Sequence, residues 1–177
     1  MNLRNQNVAK ICSGIGVAFL AGALLRPTTS YAEMAPKVRW AAYKSNLLNL
    51  QVSVPADWKP VKIPKALAFR YEDPSGTTAG IGILKSAQSD TIEQAADQEF
   101  EHEGRPADWT RTMAKVDGNR AIKIIGTDPK NPERKLVHYY IETARGTYLI
   151  QCQASLDHWS TFSPIFTTIL SQLKFLP

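Results

Sequence analysis

With 177 residues, the chain is long enough for one domain with a well-filled core, and nothing in it divides that length in two. Its pI of 9.2 invites a nucleic-acid reading, but much of the excess sits at the front: without Arg4, Lys10 and Arg26, 18 basic residues face 16 acidic ones, a net of +2. That excludes the strongly basic domain that marks polyanion binding, and no nucleic acid is expected as a partner.

Arg4 and Lys10 form a positive n-region, and Ile11 to Leu25 is an apolar, glycine- and alanine-rich run. Ser30-Tyr31-Ala32 then offers small residues at the minus-three and minus-one positions. These are the parts of a secretory signal peptide, so residues 1–32 are expected to be removed before Glu33, leaving a periplasmic or secreted protein with no stable membrane insertion. The run is shorter than the roughly 20 residues of a spanning helix, which favours cleavage over retention as an anchor. Cys12 opens the apolar run, whereas a lipid-attachment cysteine would end it after small residues. Cleavage leaves Cys152 alone, so no intramolecular disulfide can form and the core must hold the domain unaided in an oxidising compartment.

Residues 33–47 form a mixed segment with room for at most one edge strand. Residues 48–177 hold the domain proper. Leu48, Leu50, Val52 and Val54 alternate with Asn49, Gln51 and Ser53, the period of a half-buried strand. From Trp58 to Lys65, Pro60 and Pro64 remove two backbone donors, which predicts an extended loop. In a polyproline-II conformation Lys59, Lys62 and Lys65 would share one edge with Trp58 at its head, and these four are candidate partner-binding residues. The competing reading buries Trp58 as a core anchor and leaves the lysines as a solvated face.

Ala66 to Tyr71 and Thr77 to Lys85 read as a hairpin turning at Asp73-Pro74-Ser75-Gly76. Gly80 and Gly82 share a face of its second strand and suggest close approach of an aromatic side chain or a helix; no third glycine opens a helix to make a dinucleotide site. Asp90, with Glu93 three residues on, announces a helix that Gly104 and Pro106 stop. Its inner stripe is Ile92, Ala95, Ala96, Glu99 and Phe100. Glu99 and His102 have the spacing of carboxylate-bridged metal ligands, but no second copy of the motif exists, which favours a solvated helix face.

Two strands follow, Trp109 to Val116 and Arg120 to Thr127, joined at Asp117-Gly118-Asn119, and a polar loop spans Asp128 to Glu133. The last hairpin is expected to turn at Arg145-Gly146, opposing Ile141 to Ile150 and Tyr139 to Cys152 on an apolar face. Its other face, with Leu136, His138, Tyr140, Gln151 and Gln153, is mixed; His138, Tyr140 and Gln151 are a second candidate contact surface. Ser163 and Pro164 should open a closing helix with Ile165, Phe166, Ile169, Leu170 and Leu173 inward. The order of elements predicts an α+β domain, helices packed on a mainly antiparallel sheet.

His102, His138 and His158 are the only histidines, and apart from the unrepeated Glu99 and His102 pair none sits in a metal-ligand spacing. No nucleophile elbow, phosphate loop or calcium loop is present. Cys152 falls on the apolar face, a setting for a small hydrophobe and not for a reactive thiol. No catalytic residue, metal or cofactor is therefore expected.

The segment Leu50-Gln-Val-Ser-Val-Pro-Ala-Asp-Trp58, the helix capped at Asp90, the hairpin from Leu136 to Cys152 and the end from Phe166 to Phe175 together resemble the PsbP-like domains. That family includes the extrinsic photosystem subunit and bacterial periplasmic proteins of the DcrB type. The resemblance implies an α/β/α sandwich and non-enzymatic work, the binding or assembly of another protein of the cell envelope. No residue here matches the photosystem subunit's metal-binding positions, so no site is carried across. A periplasmic small-molecule or lipid binder is the alternative, and an enzyme with a dispersed site a further one.

Overall fold

Alternating hydrophobicity along the strands builds a sheet with two apolar faces in the computed structural model, which describes residues 38–86 and 91–177. The expected signal segment, the cleavage position before Glu33 and the expected cap Asp90 lie outside the described residues. The elements are β1 (Trp40–Ser45), β2 (Leu50–Pro55), β3 (Lys59–Val61), β4 (Ala66–Glu72), β5 (Thr78–Lys85), α1 (Ile92–His102), β6 (Thr110–Val116) and β7 (Asn119–Asp128). They continue with β8 (Asn131–Thr143), β9 (Gly146–Ser155), a 3₁₀ turn at Leu156–His158, α2 (Trp159–Gln172) and β10 (Lys174–Phe175). Seven strands form an antiparallel sheet in the order β3-β4-β5-β9-β8-β7-β6, and β1-β2-β10 form a second, smaller one. The chain is thus α+β, mainly antiparallel, with a helix against each face of the large sheet.

The main core lies between the large sheet and the layer made by α2 and the small sheet. Leu50, Val52 and Val54 of β2 meet Ile81, Ile83, Ile141, Tyr148, Ile150 and Cys152 of the large sheet and Phe162, Phe166 and Ile169 of α2. Side chains alternate along each strand, so the residues between these point to the opposite face. There Ile122, Ile124, Leu136 and Tyr140 pack under Ile92, Ala95 and Ala96 of α1 in a second core.

The last hairpin turns at Ala144-Arg145, so Ile141 faces Tyr148 and not Ile150. Thr143 closes the turn: its Oγ1 accepts from the Arg145 N–H and donates to the Gly146 carbonyl, and Gly146 takes the positive φ of +110°. The pairing differs from expectation by two residues, and the side-chain period is also two, so every residue keeps its expected face.

Other departures have local causes. Pro60 sits in β3, a three-residue strand on the sheet edge, where a residue without an N–H is tolerated; the lysine-rich stretch is therefore part strand, and Lys65 turns with a left-handed φ of +59°. A polyproline-II edge does not form. The loop at 128–133 shrinks to a turn at Pro129-Lys130, because Asp128 pairs with Asn131 beyond a register irregularity. α1 is capped by Thr91, whose Oγ1 accepts from the Gln94 N–H at 3.2 Å. Glu93 is then free to pair with Arg120. α2 starts at Trp159, ahead of Ser163, since an earlier start buries Phe162 in the main core; Pro164 lies inside the helix and Ser163 is not its cap.

Candidate functional site

α1 packs chiefly on β7 and β8. Among the described residues no helix covers the same face of the sheet over β4, β5 and β9, and there the structure opens a cavity of about 460 Å³. Strand register places its parts. Arg70 of β4, Gly80 of β5, Gln153 of β9 and Leu136 of β8 form one cross-strand row; Ala68, Gly82, Gln151 and His138 form the next. The floor is bare at Gly80 and Gly82. Val61 and Ile63 make one lip, 40% and 47% exposed. Glu99 of α1, Glu103 at its C-cap and the Asp128 to Lys130 turn border the opposite side.

Among the described residues no aromatic ring or helix approaches the two floor glycines. A Cβ at Gly82 would meet nothing within 4 Å, and one at Gly80 would lie 3.4 Å from the Phe69 carbonyl oxygen. The close aromatic approach occurs at Gly126, where a Cβ would fall 2.1 Å from Trp109 Cδ1. Trp109 in turn stacks edge-on against His138 and Phe100 and donates its indole N–H to the Thr127 carbonyl at 2.8 Å.

His138 is 6% exposed. Its Nδ1 lies 2.6 Å from Glu99 Oε1, off the line of a good hydrogen bond. The Tyr140 hydroxyl donates to the other Glu99 oxygen. Burial works to raise the Glu99 pKa, but the His138 contact and the Tyr140 hydrogen bond outweigh it and hold the carboxyl below its usual range. The Tyr140 phenol is pushed up, first by burial and then by the Glu99 charge. Glu99 thus lies on the buried side of α1, in line with its place in the inner stripe and against the solvated-face reading of the Glu99 and His102 pair, whereas His102 is exposed. Glu103 forms an ion pair with Lys130 at 2.7 Å.

Of the residues singled out from the sequence, His138 and Gln151 line the cavity, and Tyr140 fixes its Glu99 wall. Trp58 is 2% exposed, buried edge-on against Phe162 and Phe166 in the main core, and so is not an exposed anchor. Lys59, Lys62 and Lys65 are exposed on or beside the β3 lip. The lysine-rich stretch and the mixed hairpin face, separate in sequence, therefore border one cavity. Sequence reasoning missed Arg70, Arg134, Gln153 and the bare glycine floor as parts of it. The signal was available in the strand alternation, since Arg70 and Gln153 fall on the face of Gly80 once β5 is paired on both sides.

The fold, a seven-stranded antiparallel sheet between helices with a small second sheet, is that of the PsbP-like proteins. No family model and no curated protein sequence matches the chain. Solved structures match by shape. The solution structure of cyanobacterial PsbP (CyanoP) from Synechocystis sp. PCC 6803 superposes with a TM-score of 0.52 at 15% identity, covering 78% of this chain and 93% of that one. LpqN of Mycobacterium tuberculosis gives 0.51 at 16% identity over 80% and 92% of the two chains. PA94 of Pseudomonas aeruginosa, a protein of unknown function and putative regulator, gives 0.52 at 14% over 78% and 99%. At such identities the likeness is one of fold.

Proposed function

We propose that the protein is an exported, non-enzymatic binding module of the cell envelope and that it engages another envelope protein through the cavity beside α1. The observation that carries this reading is a sheet face half covered by its own helix and half left open, with apolar side chains at the lip and no side chains on part of the floor. Export is supported by the signal-like front of the sequence. An envelope role is supported by LpqN, which shares the fold and is described as involved in cell envelope biogenesis. Binding is favoured over catalysis because Cys152 is fully buried with its thiol pushed up by burial, and because Glu99, Glu103 and His138 are engaged with partners inside the chain.

A second reading, a small-molecule or lipid binder, is favoured by the cavity's volume, which lies within the roughly 300–1,000 Å³ of ligand sites. Site-specific photo-crosslinking separates the two. With a benzoylphenylalanine at position 151, irradiation of intact cells should give a discrete protein adduct, and the same group at exposed Thr112 on β6 should not. Absence of an adduct from position 151, with a lipid or metabolite extract raising the melting temperature, would replace the first reading by the second.

A further inference from the structure

We infer that the cavity receives an extended peptide segment carrying a carboxylate, clamped by Arg134; this rests on the protein-binding reading above and specifies the chemistry of the partner. Three observations lead there. The first is the charge left unmatched. Of the acids lining the cavity, Glu99 is held by His138 and Tyr140 and Glu103 by Lys130, while Asp128 accepts from the Lys130 backbone N–H at 2.9 Å. Arg70 reaches exposed Glu72. Among the described residues, half-buried Arg134 has no ion pair, nor do Lys59, Lys62 and Lys65 at the lip. On the acidic side Asp128 lacks an ion pair and Glu99 has no Lys or Arg partner, so the four unpaired cations, Arg134 with the three lip lysines, outnumber them and the unmet charge is positive. Arg134 supplies a planar fork of donors suited to a carboxylate.

The second observation is the floor. Neither Gly80 nor Gly82 has a left-handed φ, and a Cβ at either would meet no nearer than ordinary contact, so the chain's own folding does not require glycine at these positions. What their bareness leaves is height for something laid across β5. The third is the pair Gln151 and Gln153, both exposed and without a side-chain hydrogen bond among the described residues. They stand two residues apart on one strand face, roughly 6.6 Å, which is the two-residue repeat of any extended chain. Each amide can donate and accept, matching the alternating groups of a peptide backbone. Val61 and Ile63 then offer apolar contact to its side chains.

The test is an NMR titration of the full chain, isotope-labelled, with a capped hexapeptide of alternating aspartate and alanine, its asparagine analogue, and laurate. At low salt the aspartate peptide should move the Gly80 and Gly82 amides and the Gln151 and Gln153 side-chain amides. It should bind at least about fivefold more tightly than the asparagine peptide, as expected for a charge-assisted pair. Arg134→Gln should shrink that difference at least twofold, by weakening the aspartate peptide, while leaving the melting temperature unchanged; an undiminished difference would overturn the role of Arg134. Equal binding of the two peptides, unmoved Gly80 and Gly82 amides, or laurate binding tighter than the aspartate peptide would each overturn the inference. If the peptides fail while crosslinking from position 151 still captures a protein, the carboxylate-peptide chemistry falls and the binding function stands.

Discussion

Trp109 lies so close to Gly126 that any side chain there must move the indole, and the indole is held by its hydrogen bond to Thr127 and by edge contacts with Phe100 and His138. Gly126→Ala should therefore cost about 1–3 kcal/mol by overpacking, whereas Gly82→Ala, with open space above it, should change stability by under about 0.5 kcal/mol. Urea denaturation of the two variants measures both, and equal effects would show that the Trp109 contact is not restrictive. The sequence expectation placed an aromatic approach at Gly80 and Gly82 because two glycines on one strand face invite it. The pertinent pair is found only by counting outward from the Asp117-Gly118 turn, where both residues take positive φ. Thr110 then meets Ile125, which sets Trp109 beside Gly126. Buried Cys152 was legible from alternation alone, and for Trp58 the competing core-anchor reading is the one observed; the inner position of Glu99 was legible from the helix stripe but its partners were not, since a carboxylate there finds them only through tertiary packing.

Faces proved easier to read than pairings. β8 and β9 kept their two faces through a two-residue difference in register, because only an odd slip exchanges them. Ile150, without exposure in the main core, and Gln151, exposed over the cavity, make the contrast measurable. Ile150→Asp should cost several kcal/mol, by burial of an unpaired charge, and Gln151→Asp well under about 1 kcal/mol; similar losses from both would contradict the observed faces. Element ends were less legible. Thr91 and the Trp159 start of α2 were decided by what the helices bury, and local signals at Asp90, Ser163 and Pro164 are all compatible with more than one starting residue. β10, two residues long, has no sequence signature of its own. It is held by Asp117, which pairs with Lys174 at 2.7 Å and accepts from the Phe175 N–H at 2.9 Å.

The whole molecule should respond to acid through its carboxylates. Glu99, for which burial is outweighed by His138 and Tyr140, has its pKa lowered from the ordinary 4.5. A group with a lowered folded-state pKa contributes stability that is complete above the unfolded value and is lost as pH falls through the folded one. Asp117 acts in the same sense through Lys174 and Phe175, against the cost of its burial. Glu99→Gln should thus be less stable at neutral pH and lose stability less steeply below about pH 4.5 than the unmodified chain; parallel acid limbs in a pH series of thermal melts would refute the role of this contact. The short β3 edge bears on a different property of the molecule. A strand only three residues long, with Pro60 at its centre and lysines at 59 and 62, offers an incoming strand few donors and a repulsive border. The cavity can therefore stay open beside an edge that resists fibre growth, keeping exposed Val61 and Ile63 from nucleating aggregation at high local concentration.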